Sequence, residues 1–317
     1  MRLKRRVRNN LSKFITSGAV MLFAASSASP VYADEEKYLV LGQDLTESEK
    51  QTVLNYFGIS DISTVNVSYV THQDEKNCLG NYLPASVIGS RALSSVLMEK
   101  QEDGSGISVN TNNITYCTDE MYQNALITAG AKDLKMSVTA PMKISGTAAL
   151  VAATKSYEIM TGKRLNSNNV DTANQELAVT QEAGQKVGKK EAADLVASLK
   201  QKVAAMGDDY TREDGQKSLS ELEKNMGVTL DQGTENNILD LMDKMKDVNL
   251  DEETVKEQAK NVYDSIKGYA DKIGVNEGVL STAAQKVKDF IQSIIDFFKK
   301  INRKNKNTRC GYFFACC

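Results

Sequence analysis

The sequence predicts an α+β protein: an N-terminal mixed β-sheet with packed helices, followed by an all-α helical bundle or hairpin half. Three observations predict it. Between residues 34 and 162, short strand-like apolar runs alternate with capped helical segments, an order that packs helices onto a sheet. No proline follows Pro141, and residues 163–300 repeat apolar side chains at i, i+3 and i+4. Breaks such as Met206-Gly207-Asp208-Asp209 and Met226-Gly227 cut that second stretch into separate helices, as a bundle requires.

The elements follow in order. Residues 37–42 (KYLVLG) form a strand followed by Asp44 or Thr46 as a helix cap, and Thr46 with Glu49 makes a capping box for a helix through Val53, Leu54 and Phe57, ended by Gly58. Residues 64–71 (TVNVSYVT) alternate Val65, Val67 and Tyr69 on one face, a half-buried strand that leaves His72 in a solvated loop at its end. Residues 91–100 and 106–117 flank Glu102-Asp103-Gly104-Ser105, which reads as a β-hairpin. Thr118 opens a helix to Ala129 before Gly130, and residues 134–139 form a strand interrupted by Pro141. Ser145 caps a long small-residue helix ended by Gly162. Further helices are expected over 182–206, 214–226, 234–246, 252–273 and 277–301.

The ends of the chain differ from its body. Net charge is −2, but residues 1–33 carry six basic residues and no acid. Residues 34–160 and 161–298 each stand at −7, and residues 299–317 carry six basic residues and no acid. Arg2 to Lys13 form a charged n-region and residues 14–25 (FITSGAVMLFAA) an apolar h-region too short to span a bilayer. Val31-Tyr32-Ala33 is an A-x-A-like cleavage site, so residues 1–33 read as a signal peptide and the protein as exported, secreted or held at the cell surface. The chain from Asp34 onward then carries −8, and an acidic body repels nucleic-acid phosphate. In that oxidising context Cys78 and Cys117 are a candidate disulfide, whereas Cys310, Cys316 and Cys317 are confined to the tail 301–317.

Several of these segments, LVLGQDLTESEKQTVLNYFGI, GNYLPASVIGSRALSSV, GSGISVNTNNITYCTDEMYQNALITAGAKDLKMSVTAP and SGTAALVAATKSYEIMTGK, resemble the family called domain of unknown function 1002. The resemblance runs over roughly residues 38 to 295. It implies an exported protein of Gram-positive bacteria, mostly firmicutes, in two parts, and it supplies no catalytic residues. The tail NRKNKNTRCGYFFACC looks foreign to the family pattern.

Most familiar chemistries lack their residues. His72 is the single histidine, Gly89-Ser90 is followed by Arg91 rather than completing a G-x-S-x-G elbow, and no S-x-x-K occurs. Asp247, Asn249 and Asp251 start like a calcium loop, but Glu252 stands where Gly is needed and Gln258 where Glu is needed, so Asp251 reads as a helix start. No metal set and no cofactor motif is expected. Ser145, Gly146 and Thr147 form a candidate anion-binding helix start. In the last expected helix Phe290, Ile294 and Phe298 lie on an apolar stripe followed by Lys299, Lys300 and Arg303, a candidate membrane-surface contact. The functional expectation is a non-catalytic binding or cell-envelope-associated module meeting an envelope protein, wall polymer or membrane surface. The alternative is a hydrolase of wall or envelope polymers working through carboxylates.

Overall fold

A computed structural model describes residues 37–248 together with Leu250, Asp251, Thr254, Val255 and Gln258. The signal-peptide segment, the stripe from Phe290 to Arg303 and the three tail cysteines lie outside the described residues. The first part of the described chain is a five-stranded mixed sheet. β1 (Lys37–Gly42) is followed by α1 (Glu47–Phe57) and β2 (Asn66–Val70), and β1 and β2 pair in parallel. β3 (Ser95–Lys100), β4 (Ile107–Ile114), α4 (Asp119–Ala129) and β5 (Leu134–Ile144) complete it, in the order β2-β1-β3-β5-β4. Two short helices, α2 (His72–Leu79) and α3 (Ala85–Ile88), fill the connection between β2 and β3. α5 (Thr147–Thr161) follows β5.

Strand composition explains strand position. β1 and β3 are apolar on both faces, and each has two strand neighbours. Leu39, Leu41 and Leu97 face α1 through Val53 and Leu54. Tyr38, Val40, Val96 and Met98 join the opposite core with Leu126 of α4 and Leu150 of α5. β4 (ISVNTNNI) alternates covered and exposed positions from Ile107 to Asn112 and sits at an edge. Val67 and Tyr69 of the other edge strand, β2, are exposed, while Val70 is buried.

Three local expectations are corrected. The hairpin between β3 and β4 does not form, because β5 lies between them: β3 pairs antiparallel and β4 parallel with β5. Asp133 at the start of β5 accepts hydrogen bonds from the N–H groups of Gly104 and Gly106 at 2.9 and 3.1 Å, so the connection crosses the end of β5 instead of turning back. Pro141 does not interrupt β5. The ladder with β3 ends at Thr139, and β4 bulges at Asn113, whose side chain donates to the Ala140 carbonyl, so no ladder bond is asked of the proline. His72 does not sit in a loop: it is the first residue of α2, capped by Thr71 in a capping box with Asp74.

Beyond residue 162 come α6 (Ser167–Val187), α7 (Lys189–Met206), α8 (Arg212–Met226) and α9 (Gln232–Met245). α6 starts at Ser167, well before the helix expected from residue 182, and the break between α6 and α7 at Gly188 (φ 105°) falls inside that expected helix. α6 belongs to two cores. Its Ala173, Leu177 and Ala178 pack with the sheet-side core, and its Val179 and Ala183 pack with Leu195, Leu199, Leu219 and Leu239. Asp251 accepts from the Thr254 N–H at 3.1 Å and hydroxyl at 2.8 Å, the bonds of a helix start. Among the described residues no helix is long and apolar enough to cross a membrane.

Candidate functional site

Two concavities share a wall made by Val87 and Tyr116. The first, about 470 Å³, is built where β5 hands over to α5. Tyr116 and Cys117 donate their N–H groups to the Ser145 carbonyl, each at 3.3 Å, which fixes the approach to the helix. Gly146 caps α5, with φ 91° and no side-chain cap, and replaces Ser145 in the expected capping role. A Cβ on Gly146 would lie 2.5 Å from the Ile114 side chain and 2.6 Å from the Tyr122 hydroxyl, so glycine is required by space as well as by φ. The Tyr122 hydroxyl donates to the Gly146 carbonyl at 2.6 Å from a fully buried ring.

Glu75 is the chemical centre of this cleft. It lies in α2, is 1% exposed, and its Oε1 accepts from the Thr147 hydroxyl at 2.5 Å. Its Oε2 is buried without a hydrogen-bond partner among the described residues. Burial pushes the carboxyl up to about 7, against the opposing hydrogen bond from Thr147. Ser94 lines the same cleft, is 1% exposed, and its hydroxyl also has no partner among the described residues. Ser145 approaches Thr147 hydroxyl to hydroxyl at 3.2 Å. The expected Ser145–Thr147 segment therefore lies in the cleft, brought together with a carboxyl that the sequence reading passed over. The signal for it was present: Thr71 with Asp74 is a capping box, which places Glu75 and Leu79 on one face of a short helix.

Arg91 is the one cation among the residues lining this cleft, and it is engaged elsewhere. Its guanidinium donates to Glu49 at 2.6 and 3.2 Å and to the Asp44 carbonyl at 2.7 Å, holding Glu49 down at about 2. Glu75 is the only acid among these lining residues. His72 approaches the Gly89 carbonyl at 3.0 Å, at the end of α3.

The Cys78–Cys117 disulfide is a correction: both are free thiols. Each packs separately in the sheet-side core. Cys117 is buried beside the Tyr122 hydroxyl, with its thiol pushed up to about 12, and Cys78 is half-buried on α2.

The second concavity, about 400 Å³, runs between the sheet part and the helical part. Tyr82, Pro84 and Tyr116 form one side, and Gln175, Glu182 and Asn237 the other. Tyr82 is fixed: its hydroxyl donates to Asp171 at 2.7 Å and the Lys244 ammonium lies 5.6 Å from its ring centre. Asn237 donates to Glu182 at 2.9 and 3.2 Å. The Gln175 amide oxygen is buried without a partner among the described residues.

Residues 41–262 match the family model described as Protein of unknown function (DUF1002). The chain is 38% identical over 286 residues to "Uncharacterized protein YpuA" of Bacillus subtilis (strain 168), covering 90% of this chain and 94% of that one. No solved structure matches it.

Proposed function

The chain belongs to the DUF1002 family, and we propose that it is an exported, non-catalytic binding module of the cell envelope that holds a hydroxyl-rich wall polymer in the groove between its sheet and helical parts. One observation carries the reading. The Gln175 amide oxygen lies buried and unpartnered in a groove flanked by Tyr82 and Tyr116. Neutral amides and tyrosine rings suit a polymer of sugar rings: the amide oxygen takes a hydroxyl proton, and the ring faces cover the C–H side. The hydrolase alternative is favoured less. Among the described residues Glu75 is the only acid lining the neighbouring cleft, and the two acids lining the groove are engaged, Glu182 by Asn237 and Asp240 by Arg212, whereas paired-carboxylate hydrolysis needs two free acids across the scissile bond.

Co-sedimentation of the chain from residue 34 with purified insoluble wall polymer tests the reading. The expected result is retention of the protein, reduced about tenfold by Tyr116→Ala together with Gln175→Leu, with no release of soluble sugar. Absence of retention, or retention untouched by the double variant, overturns it. Release of sugar fragments that stops in Glu75→Gln would favour the hydrolase instead.

A further inference from the structure

A buried carboxyl with a partnerless oxygen and the uncapped positive end of a helix stand side by side in the first cleft. Each asks for a different charge. Glu75 Oε2 is buried without a donor, and an ammonium group would supply both the hydrogen bond and the charge that burial denies the carboxylate. The first turn of α5 has no side-chain cap, and its Thr147 and Ala148 line the cleft, so this helix start offers uncapped N–H groups to an anion. Thr147, whose hydroxyl holds Glu75 Oε1, is itself the first residue of that helix, so the two demands are adjacent. The Ser94 hydroxyl, also buried and without a partner among the described residues, adds a donor to the lining of the same cleft.

We propose that this cleft is a recognition site for a small zwitterion, a free α-amino acid, with its ammonium group on Glu75 and its carboxylate on the first turn of α5 and the Ser94 hydroxyl. A phosphate fits worse: Arg91 is spent on Glu49 and Asp44, and the Glu75 carboxylate would repel a dianion. A simple cation fits worse too, since the helix end beside Glu75 opposes it. An α-amino acid carries both charged groups on a single carbon, and a cleft of about 470 Å³ leaves room for its side chain.

Binding changes the protonation of Glu75. Taking up an ammonium group favours the carboxylate, so a proton held by free Glu75 below neutrality passes to the buffer. The groups facing Glu75 do not compete for it. From the β4–α4 side these are the Cys117 thiol and the Tyr122 phenol, both held neutral by burial. From α5 it is the uncharged Thr147 hydroxyl, while Lys155 of that helix meets Asp74 at 3.9 Å on the outer face of α2. Lys189 donates to the Tyr116 carbonyl at 3.1 Å, and Arg91 is committed at the mouth.

Thermal unfolding of the chain from residue 34 with L-alanine, D-alanine, ethylamine or propionate tests the site, with titration calorimetry at pH 6 in two buffers of different ionisation heat. One alanine enantiomer or both should raise Tm by about 5 °C near saturation, with ethylamine and propionate giving much less. Calorimetry should show about one proton released per alanine bound at pH 6. Glu75→Gln should lose binding at least about tenfold, and Ser94→Ala, which keeps the carboxyl, should weaken it while leaving ligand-free Tm in place. No shift with either alanine, an equal shift from ethylamine or propionate, no proton release, or full binding in Glu75→Gln each overturns the proposal. These readouts use free amino acids and leave the wall-polymer groove untouched, so either reading fails alone.

Discussion

Glu75 sets a pH signature that belongs to one residue. Its carboxyl stands at about 7 in the folded chain against an ordinary 4.5. Between those values the folded protein keeps a proton that the unfolded chain has released, so stability falls as pH rises through the window and falls no further above it. A displacement of this size corresponds to as much as about 3 kcal/mol. Glu75→Gln removes the titration and keeps an acceptor for Thr147. Relative to the parent chain, the variant should therefore gain stability between pH 4.5 and pH 8. Urea unfolding of both chains at the two pH values reads the difference, in which oppositely shifted groups such as Glu49 cancel. A parallel pH dependence in the two chains would refute the assignment. The residue was invisible at first reading for a physical reason. Its environment is made by Thr147 and Ser94, distant in sequence, and only the Thr71–Asp74 cap hinted that a helix would turn it inward.

Helices α4, α6 and α7 are tied together by a charged knot. The Lys200 ammonium, 0% exposed, donates to Glu176 at 2.9 Å, to the Asn124 carbonyl at 2.9 Å and to the Thr128 hydroxyl at 3.2 Å. Thr128 in turn donates to the other Glu176 oxygen at 2.5 Å. Burial pulls Lys200 down while Glu176 opposes that pull, so each charge depends on the other. Lys200→Met strands a buried carboxylate and should cost about 3–5 kcal/mol, whereas Lys200→Met with Glu176→Leu should recover most of that loss. Chemical denaturation of the single and double variants decides; equal losses would mean the pair is not coupled. At this scale sequence was legible wherever the signal is local. The Thr46–Glu49 box, the Thr118 cap and the glycines at 58, 130 and 162 all stand where their side chains or φ values dictate. It failed where the choice is between distant partners. A Gly-Ser loop looks like a hairpin until Asp133 claims its N–H groups and β5, supplied after α4, takes the place beside β3.

The two larger cores of the described residues are joined by α6, which the composition change near residue 162 makes look like the start of something separate. The N-terminal half of α6 completes the sheet-side core and its C-terminal half enters the helical core, so neither hydrophobic cluster is closed without it. α4 shows the dependence most plainly. It is buried from Met121 through Ala129 apart from Gln123, wedged between the sheet and the helices that follow. A chain of residues 34–162 would expose the face of α4 that meets Ala173 and Leu177, and it would lose the Asn124 and Thr128 bonds to Lys200 and Glu176. Residues 34–162 alone should therefore lack a cooperative unfolding transition and bind a hydrophobic dye. The chain from residue 34 to the end should instead lose its far-ultraviolet circular dichroism and its tyrosine signal together, because both cores run through one helix. Two separated transitions in the longer chain, or a sharp one in the fragment, would show that the sheet part closes its own core. The clefts would then be reshaped rather than lost by movement of the helical part, and the groove walled by Tyr116 and Gln175 would open independently of the Glu75 site.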